Sequence, residues 1–281
     1  MRFTTYLRDG RPRLAVVDGD AAIDLAADLR AELEAGHDLL AAGRAAIASG
    51  AARLPLASLK LAPLVPEPGK IVCLGLNYFD HAKEGGREKP DYPWFFFRGK
   101  SSLVAHGAPA LLPKVSGKFD YEAEMAVVIG RTVPRHVAQD DALQYVFGYS
   151  CFNDMSVRDY QKRTPQWTIG KNFDATGGFG PVLVTADELA PGATGLRIQS
   201  RLNGQVMQDA DTSDMIFSVA ETIHLLAQCM TLEPGDVLVM GTPAGVGQAR
   251  TPPVWMKAGD TIEIEIEKIG TLSNPVVAEG G

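Results

Sequence analysis

The part of the chain that most limits the fold begins at Lys70, where short apolar runs follow one another and are separated by Gly, Pro, Asn or Asp. Runs of this length that are rich in β-branched residues are typical of strands, and the separating residues are turn formers. The runs are KIVCLGL, PALLP, EMAVVIG, GPVLVT, LRIQSRL, GDVLVMG and TIEIEIEKIG. The sequence therefore predicts a mainly β domain with some helix, of the α+β class.

Two patterns in this region predict strand pairing and orientation. Asn203-Gly204 separates LRIQSRL from QVMQDA, and Asn-Gly tolerates the positive φ angles of a tight hairpin turn. The run from Thr261 to Lys268 alternates isoleucine with glutamate. A strand with that alternation buries one face, so we expect its glutamates to form a solvated face and not a metal site.

The first 65 residues differ from the rest and predict a small α/β N-terminal domain. Two short strands flank the Asp9-Gly10 turn, and an Ala/Leu-rich stretch from Leu25 to Ser49 predicts helix. The segment LAPLVPEPGK contains three prolines and reads as a connection. We therefore divide the chain into residues 1–65 and 66–281.

Helices are predicted at few places in the second domain. Residues Ser213 to Gln228 have apolar side chains at helical spacing with a Ser or Thr available as N-cap, and Asp140 to Val146 predicts a shorter helix. We assign His224, within the first of these, a structural role.

Composition excludes several classes of partner. A chain of 281 residues with 46% hydrophobic content can bury a sizeable core. The net charge of −7 argues against nucleic-acid binding, which needs a basic face. The sequence shows neither a signal-peptide pattern at its start nor an apolar run of about 18 residues, so we expect a cytoplasmic chain with no membrane partner. Cys73, Cys151 and Cys229 are predicted to be buried free thiols.

Three carboxylates are spaced to share one cation. Glu122 and Glu124 are two apart in the strand-like run from Asp120 to Gly130, so their side chains lie on one face. Asp154 follows the aromatic run YVFGYSCF, where a buried charge needs a partner. An exposed acidic strand end, or an ion pair between Asp154 and Arg158, is the alternative. Oxygen ligands suit Mg²⁺, Mn²⁺ or Ca²⁺.

His81 and Glu84 are spaced to meet on one turn of a helix. A carboxylate that binds one ring nitrogen fixes the tautomer, and the other nitrogen can then accept a proton. The alternative is a solvated helix start with a capping acid. The stretch from Gly85 to Lys100 predicts a hinge at Gly85 to Asp91 that leads into a buried strand at Trp94 to Phe97.

Two further segments could contact a ligand. Lys171 is followed by a glycine-rich stretch and could stabilise an oxyanion, although it could equally be an ordinary loop residue. The segment GDVLVMGTPAGVG lacks the glycine spacing of a dinucleotide site and the lysine of a P-loop. It is predicted instead to offer backbone N–H groups and the Thr242 hydroxyl to a substrate carboxylate.

In chain order, GLNYFDHAKE, DYEAEMAVVIG, NDMSVRDYQ, GKNFD and GDVLVMGTPAGVG resemble the successive motifs of the fumarylacetoacetate hydrolase family over Lys70 to Val277. The resemblance implies a twisted mixed β roll with Mg²⁺ or Mn²⁺ at its mouth, and a homodimer. It also implies roles for individual residues: metal ligands Glu122, Glu124 and Asp154; a catalytic dyad of His81 and Glu84; an oxyanion-stabilising Lys171; and substrate contacts from Arg158, Gln161 and Thr242.

The activity that this resemblance implies is metal-dependent hydrolysis of a C–C bond in a β-diketone or acylpyruvate-type 2-oxo acid, in aromatic or amino-acid catabolism. The retained His81 and Glu84 favour this activity. The alternative is a decarboxylase or isomerase of a related 2-oxo or 2-hydroxydienoic acid, such as oxaloacetate, acting through a metal enolate. Arg98 stands near a position where many relatives carry lysine, so we expect substrate preference to differ.

Two other functional classes are disfavoured. A noncatalytic metal-stabilised binding protein would not need His81, Glu84 and Lys171, and a metal-dependent phosphohydrolase would be expected to surround its ligands with more basic residues.

Overall fold

The computed structural model describes residues 1–86 and 88–280. Most of the regular structure is strand, with six α-helices within that part of the chain, so the predicted mainly β, α+β class is confirmed. None of the helices in the described residues is long and apolar enough to cross a bilayer.

The elements alternate short strands with shorter helices. The strands are β1 Arg2–Arg8, β2 Arg11–Asp18, β3 Ala21–Ala27, β4 Leu54–Pro55, β5 Ile71–Gly75, β6 Trp94–Arg98, β7 Leu103–Ala105, β8 Ala110–Leu112, β9 Phe119–Asp120, β10 Ala123–Ile129, β11 Val146–Asp154, β12 Ser156–Val157, β13 Gly177–Thr185, β14 Arg197–Leu202, β15 Gln205–Asp211, β16 Val237–Val239, β17 Thr261–Ile266 and β18 Gly270–Ala278. The helices are α1 Leu29–Glu34, α2 Leu39–Ala48, α3 Phe79–Glu84, α4 Arg158–Gln161, α5 Thr168–Lys171 and α6 Val219–Ala227.

Two sheets pack face to face to form the core. The larger has the order β4-β3-β2-β1-β13-β11-β10-β16-β5-β6, with β7 added in parallel to β13. The smaller has the order β15-β14-β17-β18-β8. Strands β10 and β11 of the first sheet pack against β14, β17 and β18 of the second. Apolar side chains such as Met125, Val127 and Ile264 are fully buried between them.

The leading strands continue the larger sheet. Strand β1 pairs antiparallel with β13, with Phe3 opposite Leu183. Phe3 and Val16 share one buried apolar cluster with Phe152 and Phe179. The division at residue 65 stays a prediction, and the two predicted units are joined by both backbone pairing and side-chain packing.

The predicted helix from Leu25 to Ser49 is wrong at its start and in its continuity. Strand β3 continues to Ala27, and two helices follow, each capped by the side chain of an aspartate. Asp28 accepts a hydrogen bond from Ala31 N at 3.0 Å and Asp38 accepts one from Ala41 N at 2.9 Å. Gly36 has a φ of 71°, which ends the first helix.

The hairpin prediction is confirmed. Asn203 and Gly204 have φ angles of 51° and 79°, and they join the antiparallel strands β14 and β15. In β17 the isoleucines are buried and the glutamates face outwards, as predicted. Arg201 on the neighbouring strand pairs with Glu263 and Glu265.

The two predicted helices of the second domain differ in detail. The helix expected from Ser213 begins at Val219, because Ser218 caps it by accepting from Glu221 N at 3.2 Å. The expected helix over Asp140 to Val146 is a 3₁₀-helix from Gln139 to Tyr145. His224 bonds the carbonyl of Val137 at 2.7 Å, which is consistent with its structural assignment.

Two burial predictions are wrong. Cys229 is exposed, because it follows the last turn of α6, whereas Cys73 and Cys151 are buried free thiols. Strand β6 lies at the edge of the sheet, so Trp94 and Phe97 are 42% and 45% exposed. Arg87, in the predicted hinge, lies outside the described residues.

Candidate active site

The pairing of β10 with β11 brings the three predicted carboxylates together. Ala123 lies opposite Asn153, and Asp154 N donates to Glu122 O at 3.0 Å. One carboxylate oxygen from each of Glu122, Glu124 and Asp154 lies within 4.8 Å of the others, and all three residues are buried. The exposed acidic strand end considered from the sequence is therefore wrong.

Lys171 on α5 places a cation between two of these carboxylates. Its Nζ lies 2.5 Å from Glu122 Oε2 and 2.5 Å from Asp154 Oδ2, and its side chain is 2% exposed. Burial alone lowers the pKa of Lys171, but the carboxylates of Asp154 and Glu122 raise it above its ordinary value. The ammonium therefore occupies a position where the carboxylates stabilise positive charge.

Two arginines complete the charge pattern. Arg158 on α4 pairs through Nη2 with Glu122 Oε1 at 2.7 Å and through Nε with Asp120 Oδ2 at 2.8 Å. Arg98 on β6 pairs through Nη1 with Asp154 Oδ1 at 2.6 Å. The ion pair between Asp154 and Arg158 considered from the sequence does not form, because Arg158 pairs with Asp120 and Glu122 instead.

The two glutamates respond to this environment in opposite ways. Burial alone raises the pKa of Glu122, but Arg158 and Lys171 lower it to about 2. The pKa of Glu124 is raised well above its ordinary value by burial and by the negative charges of Asp154 and Glu122. Glu124 Oε2 accepts a hydrogen bond from Gly241 N at 2.6 Å.

These side chains fit a hard divalent cation. Their donor set is oxygen only, its oxygens converge, and an ammonium group already bridges two members of the set. Mg²⁺ and Mn²⁺ prefer such ligands. Glu122, Glu124 and Asp154 would hold the ion, with Lys171 moving aside.

His81 and Glu84 meet on α3 as the spacing predicts. His81 Nδ1 lies 3.3 Å from Glu84 Oε2, and Glu84 Oε1 accepts from Gly245 N at 2.9 Å. The carboxylate is therefore held on both sides. With the Nδ1 proton directed at Glu84, Nε2 is the nitrogen that can accept a proton.

One cavity of about 320 Å³ connects the dyad with the carboxylates. It is lined by eight of the nine predicted site residues: His81, Glu84, Glu122, Glu124, Arg158, Gln161, Lys171 and Thr242. Asp154 is fully buried behind Lys171 and Arg98. Phe96 and Trp167 form an aromatic part of the wall.

The loop after β16 makes hydrogen bonds to side chains of the site. Its backbone N–H groups bind side chains of the protein: Gly241 binds Glu124, Gly245 binds Glu84, and Gly247 binds Asp120. These three amides are therefore engaged within the protein, and a contact between this loop and a substrate carboxylate stays a prediction. Thr242 Oγ1 accepts from Gln208 Nε2 at 2.7 Å and lines the cavity.

Arg98 does not line the cavity, and its effect on substrate preference stays a prediction. The carboxylate that it binds is that of Asp154, and its side chain is fully buried. Its guanidinium also donates to Thr176 Oγ1 at 2.9 Å and to Ser102 Oγ at 3.2 Å. Arg98 therefore acts on the site from behind, through Asp154.

Asp120 is a further site residue that the sequence analysis did not single out. It accepts from Arg158 Nε, from Gly247 N at 2.7 Å and from Gln248 N at 3.0 Å. It thereby joins α4 to the loop after β16. Asp120, Glu122 and Glu124 follow one another at a spacing of two residues, so the pattern that identified the two glutamates could also have identified Asp120.

Comparison with known proteins gives a consistent result. The family model described as fumarylacetoacetate (FAA) hydrolase C-terminal matches residues 70–277. Oxaloacetate tautomerase Fahd2a, mitochondrial, of Rattus norvegicus is 40% identical over 246 residues, covering 87% of this chain and 78% of that protein. Oxaloacetate tautomerase YisK of Bacillus subtilis (strain 168) is 43% identical over 225 residues, covering 79% and 74%.

Solved structures share the fold over the whole chain. Maleylpyruvate hydrolase from Sphingobium sp. SYK-6, in complex with manganese(II) ion and pyruvate, superposes with a TM-score of 0.83 at 33% sequence identity, covering 99% of both chains.

Proposed function

This chain belongs to the fumarylacetoacetate hydrolase family, and we propose that it is a metal-dependent tautomerase that interconverts the keto and enol forms of a 2-oxo dicarboxylic acid of the oxaloacetate type. The observation that carries the proposal is the His81–Glu84 pair, which opens into the same cavity as Glu122 and Glu124. The relatives named oxaloacetate tautomerase support it. They favour the isomerase alternative of the sequence analysis over C–C hydrolysis.

Glu122, Glu124 and Asp154 would hold Mg²⁺ or Mn²⁺. When bound, such an ion polarises a carbonyl oxygen as a Lewis acid. Protein side chains carry out the proton transfer and stabilise the charge that develops.

His81 moves the proton. Nε2 takes a proton from C3 of the substrate, the electron pair of the broken C–H bond forms the C2–C3 double bond, and the carbonyl π pair moves to the oxygen on C2. The same proton then passes from the imidazolium to that oxygen and gives the enol. Glu84 stabilises the imidazolium in between, because its carboxylate lies 3.3 Å from Nδ1.

Cationic side chains stabilise the negative charge that develops on the substrate. Lys171 and Arg158 both line the cavity, and Gln161 Oε1 accepts from Arg158 Nη1 at 3.0 Å, which fixes the guanidinium. Displacement of Lys171 from Asp154 would leave its ammonium beside the oxygen on C2.

The experiment follows the ultraviolet absorbance of enol-oxaloacetate mixed with the purified protein and Mg²⁺ or Mn²⁺. We expect the wild type to accelerate ketonisation and His81→Asn to lose roughly 100-fold or more, as for removal of a general base. Glu122→Ala should lose the activity at every metal concentration tested. A His81→Asn variant as fast as the wild type would refute the assigned base.

Hydrolysis of an acylpyruvate is the second candidate. It is supported by the shared fold with maleylpyruvate hydrolase and by Lys171, which could stabilise the oxyanion of a hydrated carbonyl. Maleylpyruvate, oxaloacetate decarboxylation and oxaloacetate tautomerisation should be assayed side by side. Turnover of maleylpyruvate well above that of the enol would favour hydrolysis.

A further inference from the structure

Lys162 is a cation at the edge of the cavity that has no carboxylate partner among the described residues. It follows the last residue of α4 and lines the cavity, whereas its neighbours there, Arg158 and Lys171, are each paired with two acids. Its backbone N–H donates to Arg158 O at 3.2 Å, so the chain fixes its position relative to that arginine.

The surroundings of Lys162 are positive. Its pKa is lowered by partial burial and then by the charges of Arg158 and Lys118, which together outweigh the opposite effect of the Asp120 carboxylate. Gln248 lines the same cavity and flanks Arg158 through Asp120, whose Oδ2 accepts from both residues. The buried Oε1 of Gln248 has no hydrogen-bond partner among the described residues. Oε1 is an acceptor and cannot itself bind a carboxylate, but a half-turn of the amide exchanges it with the Nε2 donor group. This side of the cavity therefore offers a positive charge and, after that rotation, an amide donor.

We propose that Lys162, assisted by the amide of Gln248, binds the second carboxylate of the substrate, the one remote from the 2-oxo acid group. This inference rests on the proposed function, in which the 2-oxo acid group lies at Glu122, Glu124 and Asp154. Arg158 and Lys171 are each ion-paired with two protein carboxylates and lie beside the 2-oxo acid group, whereas the Lys162 ammonium forms no ion pair with a described carboxylate and can pair with the remote carboxylate of the substrate. The site would then select dicarboxylates over monocarboxylates.

Pyruvate and oxaloacetate are the matched probes, because oxaloacetate is pyruvate with one carboxylate added at C3. Their dissociation constants for the Mn²⁺-loaded protein are measured by calorimetry with the wild type, Lys162→Met and Gln248→Leu. Arg163→Met is the control: Arg163 is exposed, lies over the Tyr160 ring at 3.7 Å and does not line the cavity. Thermal melting of each variant checks folding.

We expect Lys162→Met to weaken oxaloacetate binding about tenfold, as for loss of one charge-assisted hydrogen bond, with pyruvate binding unchanged. Gln248→Leu should weaken oxaloacetate binding less, and Arg163→Met should alter neither ligand. Equal weakening of both ligands by Lys162→Met, no weakening, or the same effect from Arg163→Met would overturn the subsite.

The experiment distinguishes a failure of the proposed function from a failure of the subsite. A wild type that binds oxaloacetate in a Lys162-dependent way but does not accelerate its tautomerisation would retain the subsite and refute the tautomerase. A wild type that binds pyruvate as tightly as oxaloacetate would overturn the subsite whatever the activity.

Discussion

Among the residues of the site, Glu124 carries the clearest conflict between stability and function. It is buried beside Glu122 and Asp154, and these neighbours together with burial raise its pKa well above the ordinary value. A carboxyl group whose pKa is higher in the folded protein favours folding while it is protonated. Above the unfolded-state pKa, that contribution falls as pH rises towards the raised value.

The first prediction concerns Glu124→Gln. The free energy of unfolding of the metal-free wild type should decrease as pH rises above about 4.5, the ordinary value for glutamate. The variant should lose most of that decrease, because a neutral amide replaces the titrating group. Glu122 contributes an opposite trend at lower pH: folding lowers its pKa to about 2, so its contribution to stability rises from about pH 2 and levels off above the ordinary value. Urea unfolding without metal at several pH values measures the effect.

The same substitution should abolish Mn²⁺ binding, which calorimetry can measure. A variant with the pH dependence of the wild type, or with undiminished Mn²⁺ affinity, would contradict the role given to Glu124.

The second prediction concerns Arg98, which holds Asp154 from behind at 2.6 Å. Arg98→Met leaves a buried carboxylate with one partner fewer, and breaking such a pair costs about 3–5 kcal/mol. We expect a loss of that size in the free energy of unfolding and weaker Mn²⁺ binding. Arg98→Lys, which keeps the charge, should lose less of both. Equal behaviour of the two variants would show that the charge on residue 98 is not what orients Asp154.

Sequence reasoning identified residues that meet at one cavity and missed residues that hold them in place. The spacing of Glu122 and Glu124, and of His81 and Glu84, is local and follows from strand and helix periodicity. The partnership of Arg98 with Asp154 joins positions 56 residues apart, and no local pattern encodes it.

At the scale of elements, the end of β5 and the loop between α4 and α5 together shape the cavity. Gly75 ends β5, and a Cβ there would lie 2.1 Å from Cζ3 of Trp167. Trp167 is in turn packed between Trp94 and Phe96, with ring centroids 5.5 and 5.6 Å away. Because Gly75 has no side chain, the Trp167 indole can occupy this space.

The third prediction is that Gly75→Ala displaces Trp167 and lowers kcat/KM at least about tenfold, because small misplacements in a site cost rate steeply. Tryptophan fluorescence should report the displacement. Gly117→Ala is the control, since a Cβ at Gly117 meets nothing within 4 Å. Unchanged fluorescence and kcat/KM in Gly75→Ala would contradict the contact.

The strands were predicted better than the helices, for a physical reason. The alternation in β17 and the Asn203-Gly204 turn are strong local signals, and both are confirmed. The stretch after Leu25 has alanine and leucine on all sides, so its composition does not distinguish the end of β3 from the start of α1. Asp28 and Asp38, the N-cap residues, are the sequence signals that mark where the two helices begin.

At the scale of the whole molecule, the leading unit and the roll share one sheet. Phe3 is fully buried in a cluster with Phe152 and Phe179, across the predicted domain boundary. Such packing should make the two units unfold together. The homodimer implied by the family resemblance stays a prediction, which light scattering on the purified chain would check.

The fourth prediction is that Phe3→Ala lowers the free energy of unfolding by about 3–5 kcal/mol, as for other buried phenylalanines, in a single transition. Val115→Ala, at a side chain that is 58% exposed, should change it little. Two separate transitions in urea would indicate that the first 65 residues fold as an independent domain.

The central claim is that Glu122, Glu124 and Asp154 hold one divalent ion where Lys171 now bridges two of them. Anomalous diffraction from crystals grown with Mn²⁺ tests it most directly. We predict one strong anomalous peak within about 2.0–2.6 Å of an oxygen from each carboxylate, with Lys171 Nζ displaced from Asp154. Absence of a peak at this position, with Lys171 still between Glu122 and Asp154 at saturating Mn²⁺, would contradict the account.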